Sequence, residues 1–328
     1  MSILTSWRGF WVVGMMLACV AAICALALPA EGSSATGSKP PTVTTGGLPQ
    51  VSASAATLKG AINAHGSETT YAFQYGTAIT YGDQTPPTPI GAGSTEAKVS
   101  QTISGLQPNT VYHFRLVAAN AAGTTNGGDV IFTTKKIPLA FQIASSPEPV
   151  VFGSRLTVSG VLSGTGASSH AVVLQATPFP YKNAFSNVGA PVLTDTTGHF
   201  SFSPADLMAN TELRVITADA AATKSPVIVA HVAVRVSLHV RSTGRQGLVR
   251  LYGTVAPAEP GARVGLQLMR PGREPLTVAG AIVKSSHTGD GSRFNRIVHI
   301  HRGGLYRAWV RVIGDRRVSG HSQPLLIH

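Results

Sequence analysis

GLQPNTVYHFRLVAAN, residues 105–120, decides the fold. A glycine and a Pro-Asn pair interrupt the chain first. From Tyr112 onward the apolar side chains fall on alternate positions: Tyr112, Phe114, Leu116 and Ala118 on one side, His113, Arg115 and Val117 on the other. A period of two is that of a strand with one buried face. Tyr112 therefore belongs to the core. His113 and Arg115, residue types that often do chemistry, belong to the wet face.

The same alternation runs through the first third of the chain. In TYAFQYG, residues 70–76, Tyr71, Phe73 and Tyr75 oppose Ala72 and Gln74, and the segments VSASAATLKGAINAHG, AKVSQTISGL and DVIFTTK are set apart by turn-forming residues. Charged residues make up 12% of the chain, while Gly and Pro number 35 and 21, a composition that suits short strands and tight turns better than salt-bridged helices. At 328 residues there is room for two or three domains, each with its own core.

The lead-in to the strand at 112, Leu106, Pro108, Thr110 and Tyr112 in the pattern L-x-P-x-T-x-Y, resembles the tyrosine corner of fibronectin type III domains. The resemblance extends over residues 41–135, through YAFQYGT, the Gly105-Leu106 turn, the Asn120 to Gly123 turn and the closing IFTT. It implies that the Tyr112 hydroxyl bonds to backbone just upstream while its ring packs. Leu58 stands where many such domains carry tryptophan, which marks a divergent member. The family implies a spacer or adhesion module rather than a catalyst.

The rest of the chain contains a repeat. SRLTVSGVLSG (154–164) aligns with LVRLYGTVAPA (248–258), AVVLQAT (171–177) with ARVGLQL (262–268), TGHFSF (197–202) with GSRFNR (291–296), and NTELRVITAD (210–219) with GLYRAWVRVIGD (304–315). Each unit closes on Ser-Pro or Ser-x-Pro, at Ser225-Pro226 and Ser322-Gln323-Pro324. The order is similar to bacterial immunoglobulin-like domains found in tandem in exported proteins, and the turn spacing independently predicts β-sandwiches. The expected chain is all-β: a fibronectin type III-like domain at 41–136, an Ig-like domain at 137–232 and a basic Ig-like domain at 233–328. Almost no flexible residues lie between them, so a semi-rigid rod is expected.

Ahead of these, residues 1–30 carry Arg8 and then WVVGMMLACVAAICALAL, ending in small residues and Pro29. This reads as an export signal cleaved after Ala27 or Ala30, with an uncleaved membrane anchor as the alternative, and residues 31–40 as a linker. Cys19 and Cys24 both fall inside the run, so none follows it to form a disulfide, a zinc site or a thiol nucleophile. The expected location is outside the cell or on the surface of a bacterium.

Charge is concentrated at one end. Residues 233–328 carry fifteen Arg and Lys against four Asp and Glu, a net of +11 out of the total +12. That imbalance attracts anionic polymers in a salt-sensitive way: wall polyanions, lipid headgroups or acidic glycans, with nucleic acid an unlikely partner for an exported chain. In LYRAWVRV the pattern puts Tyr306, Ala308, Val310 and Val312 inward, so Arg307, Trp309 and Arg311 line the outer face as candidate contacts for an anion or glycan; alternatively the guanidinium groups shield the indole. His299 and His301 have a spacing that can chelate a metal, but no third ligand is indicated, and Asp195, Asp290 and Asp315 stand singly. No metal or cofactor is expected.

Nor is an enzyme. The sequence has no G-x-S-x-G elbow, no H-E-x-x-H and no phosphate loop after a strand. The expected function is that of a non-catalytic structural or adhesive cell-envelope protein presenting a basic terminal domain. The alternative is a polysaccharide-binding accessory protein for an extracellular hydrolase.

Overall fold

The computed structural model describes residues 37–204, 206–285 and 291–328. The apolar run at 11–28 lies outside them. Among the described residues every regular element is a β-strand, and no helix is long and apolar enough to cross a membrane.

The alternating segments pair into three two-sheet units. In the first, Ala55–Asn63 lies between Thr42–Thr45 and Glu96–Ser104, and the facing sheet places Val111–Asn120 between Thr69–Gly76 and Val130–Thr133. Phe73, Phe114 and Leu116 are fully buried between the sheets, and Phe132 packs on Tyr112 and Phe114 with ring centroids 5.6 and 5.9 Å apart. The second unit repeats the order with Ala140–Ser146, Thr157–Ser163 and His199–Phe202 facing Ala171–Pro178, Thr211–Thr217 and Ile228–Ala230. In the third, Leu248–Ala256 and Ser292–His299 face Arg273–Ile282, Arg263–Arg270, Gly304–Arg311 and Leu325–Ile327. Each unit has its own apolar cluster, and the second hands over to the third between Val232 and Val234.

Strand pairing corrects the register of the internal repeat. The equivalent of Gly160 is Gly253, not Thr254, because Val158 and Leu162 point inward as Leu251 and Val255 do. Likewise Gln175 matches Gln267 rather than Leu266, each lying opposite an arginine of the next strand. A one-residue slip exchanges the two faces of a strand, so burial settles what similarity of letters did not.

The corner at 106–112 is built as its resemblance implies. Tyr112 Oη accepts from the Gln107 amide at 3.0 Å, and Thr110 Oγ1 donates to the Pro108 carbonyl at 3.0 Å. Replacing Tyr112 by Phe keeps the ring and strands one amide. The expected cost is about 1 kcal/mol, read as a lower urea midpoint with unchanged slope. The third unit has a counterpart the sequence reading missed: Tyr306 Oη donates to the Arg302 carbonyl at 2.7 Å, and burial pushes its phenol above the ordinary tyrosine value.

The junctions differ. Between the first and second units, among the described residues, no side-chain hydrogen bond or ion pair crosses; Ile137 is held by the second unit alone through Thr165. Between the second and third, Val150–Val151 pairs in parallel with Val232–Ala233, and Val318 brackets the same stretch through Val232 and Val234. Asn210 Nδ2 donates to the Asp315 carbonyl at 2.8 Å, and Arg317 reaches back to the Met208 carbonyl at 2.8 Å.

Candidate anion-binding surface

The strand Gly304–Arg311 turns Tyr306, Ala308 and Val310 into the core, which leaves Arg307, Trp309 and Arg311 on the outer face. These three do not share one role. Arg307 Nε donates to Gln267 Oε1 at 3.0 Å across the strand pair. The other units make the same bond at the same place, Arg115 to Gln74 at 2.8 Å and Arg214 to Gln175 at 2.9 Å. A contact repeated in all three sandwiches, including two without charge excess, holds strands together, and Arg307 is bound into that scaffold.

In the first two units the paired arginine also lies over an aromatic ring, Arg115 4.7 Å from the centre of Tyr81 and Arg214 4.0 Å from that of Phe185. Around Tyr81 a further polar cluster closes the sheet edge, with Asp129 accepting from the Tyr81 hydroxyl at 2.9 Å and bonding His113 Nδ1 at 2.8 Å. Burial first, and then the Asp129 bond, raise the Tyr81 phenol above its ordinary value. His113 and Arg115 thus tie down the wet face.

Trp309 is half-buried and lies opposite Gly265, with a ring carbon 3.7 Å from where a Cβ on that glycine would sit. The indole covers backbone that a glycine leaves bare. Among the described residues no cation–π contact reaches it. Arg311 is exposed and stands directly opposite Arg263. Trp309, Arg263, Arg311, Arg296 and Lys284 line a groove of ≈ 700 Å³.

A second basic groove lies on the other sheet of the same unit and was not singled out from the sequence. Arg241 and Arg250 are direct cross-strand partners, and two pairs along, on the same face, His239 faces Tyr252 with ring centroids 5.4 Å apart. Together with Asn295 these residues line a groove of ≈ 730 Å³. The signal was present in LVRLYGT, where Arg250, Tyr252 and Thr254 alternate with Leu251, Gly253 and Val255, but only the pairing partner His239–Ser242 completes it.

The remaining candidates are local. The His299 and His301 rings lie tilted against each other with centroids 4.2 Å apart, and among the described residues no group of three or more His, Cys, Asp or Glu is placed to hold a metal ion. Asp195 accepts from the Thr197 hydroxyl and from the Thr197 and His199 amides, bonds that hold its carboxyl below the usual value and shape a turn.

No protein-family model and no curated protein matches the chain. Among solved structures it is similar to the FN1–FN3 domains of chicken CNTN1, at 15% identity over 88% of this chain and 99% of that one, with a TM-score of 0.28. It is also similar to a tetra-tandem repeat from the extending region of a large adhesion protein (13% identity, 89% and 75% covered, TM-score 0.31) and to three consecutive domains of titin (12%, 88% and 98%, 0.37). These TM-scores are low. The sandwich fold stands on the strand pairing itself.

Proposed function

We propose that the chain is a non-catalytic, exported structural or adhesive protein of the cell envelope whose terminal unit contacts an anionic polymer. One observation carries this: on both outer faces of that unit arginines are paired directly across strands, Arg241 with Arg250 and Arg263 with Arg311, and none of the four forms an ion pair among the described residues. Like charges held opposite each other destabilise a sheet. An anion lying between them reverses the sign of that term. The +11 charge of residues 233–328 extends the attraction over the whole unit.

The test is binding of the full chain to a linear polyanion across a salt series. If about four charges are neutralised, counterion release lowers affinity roughly a hundredfold between about 50 and 200 mM salt. Charge reversal of Arg241 and Arg250 together is expected to weaken binding and flatten that slope, with the fold intact because both side chains are exposed. Affinity indifferent to salt overturns the proposal. Salt-resistant binding to one neutral glycan would instead support the accessory role beside a hydrolase.

A further inference from the structure

The two basic grooves are not separate. Asn295 lines both, on the strand Ser292–His299, which only the two-residue strand Lys284–Ser285 flanks on its outer side. On one side of Asn295, in a single cross-strand row, come Tyr252 and then His239. On the other come Arg296, Arg263 and Trp309. Tyr252 is 40% exposed, enough to leave much of its ring open to solvent. The result is a basic band that wraps one edge of the unit, with an aromatic ring on each side and an amide at the bend.

We propose that this band is a track for one chain of an acidic polysaccharide, its carboxylates against Arg241, Arg250, Arg263 and Arg311 and its sugar rings against Tyr252 and Trp309. The proposal rests on the anion-contacting role and narrows it. Guanidinium groups accept carboxylate and phosphate alike, so the arginines do not choose between polymers. The aromatic rings do: a pyranose has an apolar C–H face whose burial on a phenol or indole is favourable, and a polyphosphate has none. Asn295, His239 and Thr254 add donors and acceptors along the same groove, which suit a hydroxyl-bearing chain. Two open grooves joined at a shared residue suit an extended polymer rather than a compact ligand.

Calorimetry of the full chain with polygalacturonate, polyphosphate of matched charge and a single-stranded oligonucleotide, at one ionic strength, tests this. Polygalacturonate is expected to bind tightest. Tyr252→Ala should weaken it about tenfold and leave polyphosphate binding unchanged, while Tyr252→Phe, which keeps the ring, should bind as the parent does. If polyphosphate or the oligonucleotide binds as tightly as polygalacturonate, or if Tyr252→Ala changes all three equally or none, the sugar track is wrong and the anion-contacting role stands. If none of the three polyanions binds, both fall together.

Discussion

Replacing Arg317 by alanine is expected to uncouple the second and third units and to cost about 3 kcal/mol. Arg317 is an arginine whose side chain is only 8% exposed, donating from one nitrogen to Glu259 of its own unit at 2.7 Å and from another to the Met208 carbonyl of the preceding unit at 2.8 Å. Removing it leaves the Glu259 carboxylate, itself 20% exposed, without its counter-charge, and leaves a carbonyl at the junction without a donor. Removal of one partner of a buried pair typically costs about 3–5 kcal/mol, and the partial exposure of Glu259 argues for the lower end. Differential scanning calorimetry should show one joint transition for the two units in the parent chain separating into two in the variant. Its neighbour Arg316 is exposed and serves as the control: Arg316→Ala should shift nothing by more than about 0.5 kcal/mol. A joint transition that survives Arg317→Ala would show that the paired backbone around Val232 and Val318 couples the units without it.

That arginine also marks where the sequence stops being legible. Alternation placed Tyr112, Phe114 and Tyr306 in cores and Arg115 and Trp309 on outer faces, because a period of two is a local property that survives without knowledge of partners. The charge excess of the last unit was equally plain. What the sequence could not do was sort its fifteen cations. Arg307 and Arg317 count in it like the rest, yet one is held by Gln267 and the other is buried in a junction with Glu259. The true opposed pairs, Arg241 with Arg250 and Arg263 with Arg311, depend on register between strands as many as 48 residues apart. Composition reports charge; only pairing reports which charges face each other.

Glycine to alanine at position 253 is expected to prevent the third unit from folding stably, and the same change at 160 to do so in the second. Neither backbone is in the left-handed region, so the requirement is for space and not for φ. A Cβ on Gly253 would overlap the Ser237 carbonyl oxygen and lie 2.7 Å from the Phe294 ring; on Gly160 it would overlap the Gln142 carbonyl oxygen and lie 2.8 Å from the Phe200 ring. In both cases an edge-strand carbonyl and a core aromatic close over the same point of the central strand. Gly60 of the first unit occupies the matching position, covered by the Thr44 carbonyl and the Leu116 side chain. The sequence therefore carries one pattern three times, Leu58-x-Gly60-x-Ile62, Val158-x-Gly160-x-Leu162 and Leu251-x-Gly253-x-Val255. Relief requires moving a backbone strand, since the obstructing atoms are a carbonyl and a ring already at full packing, and overpacking of this kind costs about 1–3 kcal/mol or more. Gly265 provides the contrast, because the nearest atom to its Cβ would be 3.6 Å away on Thr277. Gly265→Ala should therefore leave the melting temperature within a few degrees, since the added methyl meets Thr277 and the Trp309 indole at ordinary contact distance. Thermal melts of the three variants in the full chain decide the matter: if Gly253→Ala melts as the parent does, the close approach of strand to strand is softer than its geometry, and the recurring glycine needs another cause.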